Sequence, residues 1–485
     1  MEPSNDSVNS VYAQDNSRHW VSYFTESLNK GKKQKTDHSP TLPLENGPKY
    51  DLISTLPDCV LSTIISHLPT KDAARTTILS SRWRHLWAFA PLNLDSKNIS
   101  SGVSQPACSQ STCAFKDVVS RILERHCGPV RRFCLAHVCF GGSEPCLREW
   151  LDDLSKKGVQ EINLKFDPPC HKLPTDLLAC KSLLSLKLQC SWFPSTSKFN
   201  PCFTSLTELT LSNTIISGQD LKSVLSCCQA LQSLSLTDMP FNNPTGVREM
   251  EICSGSLKIL VVSDSPLRII CIQNAPNLER FLLGTSMVPG TWVKVVHAPK
   301  MEMLGYLDMG YTKFETGDTL LKGSDLSIST LIYSVKTLAI SINFDTISQA
   351  STAIRFLRCF PFLETLHIRF FLFGPKETPD FQYWNLQDQV DCLDYHLKKV
   401  YFRAYAGSSV ELDFAKFLFS RAKVLEVLEI LPRRDEWTTK MENDLLCMRN
   451  EVASNTRVVL ATEKHLFGGS FSADATNLSL RDPFG

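Results

Sequence analysis

The sequence lacks the features that identify several common classes of protein. Its 18 cysteines include no C-x-x-C pair, so the usual redox motif and the paired zinc-finger cysteines are missing. No apolar run approaches the ~20 residues of a membrane-spanning helix, and the polar residues 1–30 do not have the pattern of a secretory signal. We therefore expect no membrane partner, and free thiols in the reducing cytoplasm or nucleus.

An excess of charge of one sign is also missing, since Lys and Arg total 51 and Asp and Glu total 50. A balanced chain has no overall field to attract nucleic acid or an anionic membrane, which argues against both partners. No Walker-type glycine loop, dinucleotide fingerprint, H-E-x-x-H or G-x-S-x-G motif occurs. We expect a protein without catalytic residues or a cofactor, although residues distant in sequence can still converge into a site.

One cluster contains residue types that bind metals: His126, Cys127, Cys134, His137 and Cys139. These residues lack the close paired spacing of the common zinc sites. Cys134 also lies within a pattern typical of a strand. We therefore predict no metal site.

The first 48 residues contain few side chains that can form a core. Residues 1–48 are rich in Ser, Asn, Asp and Lys, and such a composition predicts a disordered tail. Within it, Lys30, Lys32, Lys33 and Lys35 form a short basic cluster. The cluster is either a nuclear import signal or a solvated charged segment. We expect the protein in the nucleus, the cytoplasm or both.

The next segment, residues 49–95, has the pattern of three short helices. Pro57 suits the first turn of the first helix, and Pro69 ends it. Apolar residues between these prolines recur at steps of three and four and share one helical face; they are Val60, Leu61, Ile64, Ile65 and Leu68.

Polar residues mark the starts of the other two helices. Thr70 is placed to cap the second helix, and Ser80 or Ser81 the third. Three helices of this length have a very small core. Such a module gains stability by packing on a partner or on a neighbouring domain.

Residues 96–114 are rich in Ser and contain Gly and Pro, which predicts a linker. Beyond it, the pattern apolar-x-x-apolar-x-apolar recurs twelve times. Its first positions are Val130, Val159, Leu183, Leu206, Leu231, Leu257, Leu278, Met301, Val335, Leu363, Leu397 and Leu425. The loose pattern alone is near chance frequency, but three consecutive units carry leucine at all three positions. The first eight units advance by 21 to 29 residues, close to the ~20–29-residue period of leucine-rich repeats.

Each unit predicts one short strand, because its last two apolar residues are two apart and share a face. The chain then returns through a helix or an irregular turn. One unit cannot bury its own apolar face, but a stack of units can. We predict an α/β fold in which residues 115–390 form a right-handed leucine-rich-repeat solenoid with a parallel β-sheet on its concave face.

The residue between those two apolar positions points away from the core and lines the concave face. By this register the outward residues are Cys134, Asn163, Lys187, Thr210, Ser235, Val261, Leu282, Gly305, Ala339, His367, Tyr401 and Glu429. The mixed surface suits a protein partner better than a phosphate backbone. The substrate-binding candidates are Lys187, Arg280, His367, Arg369, Tyr401 and Arg403. For each candidate, a solvated sheet face without a ligand is the alternative.

The stretch 51–95, DLISTLPDCVLSTIISHLPTKDAARTTILSSRWRHLWAFAPLNLD, closely resembles the F-box of large plant protein families. Its LPD, HLPTKDAARTTILS and RWRHLW segments match in order and spacing. The repeats resemble the leucine-rich array of the same plant group, as in WLDDLSKKGVQEINLKF and LPTDLLACKSLLSLKL. The region 391–460 is similar to their C-terminal FBD module in HLKKVYF, FAKFLFSRAKVLEVLEI and RVVLA. We accordingly expect the F-box at 49–95, FBD-like repeats at 391–464 and a tail at 465–485.

The resemblance implies a substrate-recognition subunit of an SCF-type E3 ubiquitin ligase. In such a complex the F-box binds a Skp-family adaptor, and through it a cullin and a RING protein, while the repeats hold the protein substrate. Carried over by position, the adaptor contact comprises Leu56, Pro57, Val60, Leu61, Ile64, Leu68, Pro69, Ile78, Trp83 and Trp87. Ile64, Leu68 and Trp83 suit core packing equally well. The alternatives are a scaffold without ligase activity, and DNA binding through Trp83 and Arg84, which the balanced charge opposes.

Overall fold

The structure is a computed structural model, and the residues that it describes are 52–99, 109–136, 144–168, 170–240, 248–284, 289–322, 325–343, 347–371, 389–433, 443, 456–460 and 482–484. The predicted tail at 1–48, with its lysine cluster, lies outside the described residues, as do His137 and Cys139. The chain divides into two compact units, Met1–Leu206 and Thr207–Gly485.

The first unit begins with the predicted helices, which are α1 (Asp58–His67), α2 (Thr70–Arg75), a 3-10 turn (Thr76–Ile78) and α3 (Ser81–Phe89). Ser80 caps α3 as predicted, since its hydroxyl accepts from the backbone N–H of Trp83 at 3.4 Å. The predicted cap of α2 was wrong. Thr70 is the first residue of that helix, and its hydroxyl donates to the carbonyl oxygen of Asn93 at 2.5 Å.

The three helices have a small shared core. Leu61 and Ile65, one turn apart on α1, are at most 1% exposed, and Trp83 and Trp87, one turn apart on α3, are 7% and 6% exposed. Because residues four apart lie on the same side of a helix, these pairs give α1 and α3 one apolar face each. The two faces account for the packing of α1 against α3.

The helical module continues directly into the sheet of the first unit. Strand β1 (Leu92–Asp95) pairs in parallel with β2 (Val130–Ala136). Between these strands in sequence, His126 is buried, its Nε2 lies 3.0 Å from the carbonyl oxygen of Ala90, and its ring centroid lies 5.4 Å from that of Trp87. The module therefore shares part of its core with the first repeat, as expected for a module too small to stand alone.

The rest of the first unit alternates helices and strands: α4 (Ser96–Ile99), α5 (Ser109–Arg125), β2, α6 (Glu144–Lys156), β3 (Glu161–Lys165), β4 (His171–Lys172), a 3-10 turn (Thr175–Ala179) and β5 (Ser185–Trp192). Strands β1, β2, β3 and β5 pair in parallel in that order, and β4 pairs beside β5. The linker predicted at 96–114 contains α4 and the start of α5.

In the second unit, the described residues include ten strands that pair in parallel in sequence order. They are β6 (Glu208–Ile215), β7 (Ser233–Thr237), β9 (Ile259–Ser263), β11 (Arg280–Leu283), β13 (Met303–Asp308), β17 (Thr337–Asn343), β18 (Thr365–Phe371), β19 (Lys399–Tyr405), β20 (Val427–Pro432) and β21 (Arg457–Leu460). All twelve predicted units of the chain have their last two apolar positions within a strand, which confirms the predicted repeat.

The return segments of the second unit differ in part from the prediction. Several returns are helical, as expected: α7 (Gly218–Cys227), α8 (Ile347–Leu357), a π-helical turn (Cys392–His396) and α9 (Ser409–Arg421). Others form a second sheet, from β8 (Glu249–Cys253), β10 (Ile269–Asn274), β12 (Trp292–Val295), β14 (Lys313–Thr316), β15 (Thr319–Lys322) and β16 (Asp325–Ser327). Alternate burial explains these strands, as at Met250 and Ile252. No described helix is both long enough and apolar enough to cross a membrane.

Close packing at Gly128 joins the helical module to the first repeat. The N–H of Gly128 donates to the carbonyl oxygen of Ala88 at 3.1 Å, and a Cβ at this position would lie 2.6 Å from the backbone oxygen of Phe89. We expect Gly128→Ala to lower the free energy of unfolding by about 1–3 kcal/mol, because the backbone of Phe89 or of residue 128 must shift to make room for the added methyl group. Urea titration measures the change. Gly218→Ala is the control, since a Cβ there meets nothing within 4 Å; equal stability of both variants contradicts the packing.

Burial of His126 makes the stability of the fold depend on pH. Burial is the main cause that lowers the pKa of His126 from 6.5 to about 4. The unfolded chain therefore binds more protons between these pH values, and stability is lost as the pH falls through that window. Between pH 7 and pH 5 we expect the unfolding free energy of His126→Gln to fall by about 2 kcal/mol less than that of the native chain. Urea titrations at the two pH values test this, and equal losses contradict it.

Candidate functional site

The helical module of the first unit exposes large apolar side chains. They are Leu52, Ile53, Val60, Ile64, Ile78, Leu79 and Phe89, with exposed fractions from 39% for Ile64 to 72% for Leu52. Single exposed apolar residues are common, whereas a group so concentrated in sequence is typical of a protein-binding surface. We call these seven residues the apolar module surface.

The structure divides the ten predicted adaptor contacts by their exposure. Exposed are Pro57, Val60, Ile64, Pro69 and Ile78, and partly exposed are Leu56 and Leu68. Leu61, Trp83 and Trp87 are instead buried in the core of the module, where an adaptor cannot reach them without unfolding it. The same burial removes Trp83 from the alternative of stacking on DNA bases.

Sequence reasoning missed four residues of the apolar module surface, namely Leu52, Ile53, Leu79 and Phe89. Leu79 follows the 3-10 turn Thr76–Ile78, where helical periodicity does not predict which residues face outward. Leu52 and Ile53 precede the first helix, so no periodic pattern includes them.

Arg82 on α3 holds the segment that enters the first helix. Its Nε donates to Oδ1 of Asp58 at 2.7 Å, its Nη1 to the carbonyl oxygen of Ser54 at 2.7 Å, and its Nη2 to the carbonyl oxygen of Leu56 at 2.5 Å. A guanidinium offers donors in a rigid planar arrangement, which suits three acceptors at once. The contact fixes the position of Leu56 and Pro57, and sequence reasoning did not identify it.

The second candidate site lies on the parallel sheet of the second unit. His367 on β18 is the register partner of Ala339 on β17 and of Tyr401 on β19. The next outward row pairs Arg369 with Arg403. The predicted register is confirmed for these strands, so predicted outward residues share one face.

Aromatic and charged groups on this face are in close contact. The rings of His367 and Tyr401 stack with centroids 4.4 Å apart and an interplanar angle of 4°. Nη1 of Arg403 donates to Oε1 of Glu429 at 3.2 Å, and its guanidinium lies 5.5 Å from the ring centroid of Tyr401. Burial lowers the pKa of Arg369 on the same face.

Residues 482–484, hereafter the 482–484 segment, lie on this face. Nε2 of His367 is 2.9 Å from Oδ2 of Asp482, and Nη2 of Arg403 donates to the carbonyl oxygen of Phe484 at 3.2 Å. The ring of Phe484 meets that of Tyr306 edge to face at 5.2 Å. The segment belongs to the predicted C-terminal tail at 465–485, and its docking on this face was not predicted.

Burial therefore excludes the alternative of a solvated sheet face for three of the substrate-binding candidates. His367 is fully buried, and Arg280 and Arg403 are 5% and 7% exposed. Phe484, itself 4% exposed, is part of a buried apolar cluster with Ile259, Val261, Leu282 and Ala339. Lys187, the remaining substrate-binding candidate, lies on β5 of the first unit, where its register partner is Asn163, and it does not belong to this group.

Burial and neighbouring charges set the protonation states of His367 and Asp482. Burial lowers the pKa of His367 despite its contact with Asp482, so its neutral ring donates from Nε2–H. Burial alone would raise the pKa of Asp482, but the hydrogen bond with His367 and the nearby charge of Arg403 lower it below its ordinary value. At neutral pH the site therefore holds a carboxylate.

No group of three or more His, Cys, Asp or Glu residues in the described part of the chain is placed to hold a metal ion. Among the residues of metal-binding type in the 126–139 cluster, His126 is hydrogen-bonded to the backbone carbonyl of Ala90. Cys134 is buried in β2, where burial raises the pKa of its thiol, and Cys127 is exposed.

Three family models match the chain. The model "F-box domain" matches residues 53–94, which include six of the seven residues of the apolar module surface, all except Leu52. The model "FBD-associated F-box protein At5g56370, LRR repeats" matches residues 147–368, and "FBD" matches residues 388–430. The match to the leucine-rich-repeat model thus covers β3 and β5–β17 and most of β18, and the match to the FBD model covers β19 and most of β20.

Curated proteins of Arabidopsis thaliana are similar to this chain. F-box/FBD/LRR-repeat protein At1g13570 is 25% identical over 417 residues, which cover 82% of this chain and 94% of the relative. F-box/LRR-repeat protein At4g14103 is 33% identical over 195 residues, or 39% of this chain and 50% of the relative. FBD-associated F-box protein At5g60610 is 25% identical, with 78% of this chain and 99% of the relative covered.

Among solved structures, a leucine-rich-repeat protein of Leptospira interrogans covers 76% of this chain and 94% of its own, with 11% identity and a TM-score of 0.30. A TM-score this low is no evidence for the fold, and the assignment of the fold rests on the strands and their pairing.

Removal of the Arg82 side chain tests its contact with the entry segment. We expect Arg82→Ala to raise the rate of amide hydrogen exchange in residues 52–58 at least tenfold, because two carbonyls and Asp58 lose their shared donor. Arg75→Ala is the matched control, since Arg75 pairs only with the exposed Asp72 three residues earlier among the ion pairs described. Exchange that is unchanged in Arg82→Ala, or raised equally in both variants, contradicts this role.

Proposed function

We propose that this chain, a plant-type F-box/leucine-rich-repeat protein with a C-terminal FBD region, is the substrate-recognition subunit of an SCF-type E3 ubiquitin ligase. The F-box docks on a Skp-family adaptor, which connects the chain to a cullin and a RING protein. The leucine-rich repeats bind the protein that is to be modified. The chain itself contributes no catalytic group, and ubiquitin transfer takes place on the other subunits.

The apolar module surface supports the adaptor contact. Ile78 and Leu79 are 64% and 63% exposed at the turn before α3, and Val60 and Ile64 extend the same type of surface on α1. Burial of apolar area at about 25 cal/mol per Å² is the main source of affinity in a contact of this kind. F-box domains in general bind Skp-family adaptors, so this surface has a defined class of partner.

The parallel ladder supports the binding of a protein substrate. Its partly exposed outward residues combine polar, aromatic and charged side chains, as at Thr210, Tyr401 and Glu429, and such a mixture is typical of protein interfaces. Repeats that stack at a fixed step give an extended row of positions on which a partner can be held. A scaffold without ligase activity would use the same two surfaces, so only a transfer assay separates it from a ligase subunit.

Substitution within the apolar module surface tests the proposed docking. We expect the double variant Ile78→Ser/Leu79→Ser to bind a Skp-family adaptor at least tenfold more weakly than the native chain, because two exposed apolar anchors are lost. The full chain is used in both cases, and calorimetric titration with purified adaptor measures the affinity.

Val296→Ser is the matched control, because Val296 is 53% exposed and lies outside the helical module. We expect it to leave adaptor affinity within twofold of native. Unchanged affinity in the double variant, with its melting temperature preserved, contradicts the proposed docking surface.

A further inference from the structure

The 482–484 segment is held on the sheet of the second unit by contacts of three kinds. The carboxylate of Asp482 accepts from His367, the backbone carbonyl of Phe484 accepts from Arg403, and the ring of Phe484 enters an apolar cluster. An acidic group, a main-chain carbonyl and an aromatic ring are together what a short peptide presents to a protein. The face thus has the composition of a peptide-binding site.

Different side chains of this face contact different groups of the segment. His367 offers a buried donor to the carboxylate, and Arg403, oriented by Glu429, offers a second donor two residues further on. Tyr306 meets the ring of Phe484 edge to face. A carboxylate and an aromatic ring two residues apart therefore satisfy separate parts of the site, which gives it sequence selectivity.

Three polar atoms of this face lack a hydrogen-bond partner in the described part of the chain, two of them on residues that contact the segment. Nδ1 of His367, Nε of Arg403 and Oγ of Ser341 are buried, and none of them has a hydrogen-bond partner among the residues that the structure describes. Buried polar atoms are rarely left without a hydrogen-bond partner, so these three atoms point to a ligand longer than the 482–484 segment. Ser341 belongs to the same outward row as Arg369, so a longer peptide would reach it by extending along the face.

The 482–484 segment lies on the parallel sheet but is not one of its strands. The contacts described above involve side chains and the carbonyl of Phe484, and they join positions far apart in sequence, 115 residues for His367 and Asp482. A tethered segment has a high effective concentration at its site, so it occupies the site even when each contact is weak. An untethered peptide of the same chemistry competes with it by mass action.

We propose that this face is a recognition site for a protein segment in which an acidic residue precedes an aromatic residue by two positions, and that the 482–484 segment is its intramolecular competitor. The inference rests on the proposed function in that it names the class of substrate segment. It adds a regulatory property, because a substrate is bound only when it displaces the chain's own Asp482 and Phe484.

Peptide binding to the full chain tests the inference. The probe is the peptide SLRDPFG, the sequence of residues 479–485, capped at both ends and labelled for fluorescence anisotropy. We expect the variant Asp482→Asn/Phe484→Ala, in which the competitor is weakened, to bind this probe at least tenfold more tightly than the native chain. Its binding of the matched peptide SLRNPAG should be at least tenfold weaker than its binding of SLRDPFG.

Two further measurements make each outcome decisive. Arg403→Gln added to the double variant should abolish the gain in probe affinity while circular dichroism remains native. Equal affinity of the native chain and the double variant, or equal affinity for both peptides, overturns the inference. Loss of native circular dichroism in the double variant also overturns it, because the segment is then a permanent part of the core. The assay contains no adaptor, so its failure leaves adaptor binding untouched, and failure of adaptor binding leaves this result standing.

Discussion

Apolar side chains of one repeat are buried only where the next strand pairs with it in parallel and in register, and the functional surfaces depend on this pairing. The side-chain period of a strand is two, so a slip of one residue would send Leu366 and Ile368 to the outward face and His367 to the core. In register, His367, Tyr401 and Glu429 instead form one row. The parallel pairing of the strands thus determines which side chains are buried in the core and which lie on the outward face.

The helical module shows the same dependence in a different form. Three short helices have too little core to be stable alone, and their buried residues are supplemented by the contact of Trp87 with His126 and by the pairing of β1 with β2. Packing on the repeat therefore leaves the apolar module surface free for a partner. Because core and surface share so few residues, Leu61 and Trp83 serve the core while Ile78 and Leu79 stay exposed.

Local and periodic features of the fold were predictable from sequence, and contacts between distant residues were not. The apolar pattern and its spacing predicted all twelve strands of the repeats, and a serine cap at Ser80 or Ser81 predicted the start of α3. The second sheet was missed because its short strands, such as β12, carry only two buried alternate residues and no leucine triplet. The three bonds of Arg82 span 24 to 28 residues and leave no periodic signal.

The candidate sites show the same division. Three members of the apolar module surface, Val60, Ile64 and Ile78, followed from the resemblance. The burial of Leu61, Trp83 and Trp87 required knowledge of how the helices pack. The outward register of His367 and Tyr401 followed from the repeat. The docking of the 482–484 segment on these residues did not follow from the sequence. An Asp and a Phe in a polar tail have no pattern that predicts it, since His367 and Asp482 are 115 residues apart.

The central claim is that one surface of the chain joins a ligase while another selects the protein to be modified. Ubiquitin transfer in a reconstituted complex of adaptor, cullin, RING protein and the Asp482→Asn/Phe484→Ala chain measures both at once. The substrate is a lysine-bearing carrier protein fused to SLRDPFG, compared with the same carrier fused to SLRNPAG. We predict ubiquitin on the first carrier, little on the second, and loss of transfer when Ile78 and Leu79 are replaced by serine. Equal modification of both carriers, or transfer that does not depend on Ile78 and Leu79, contradicts the account.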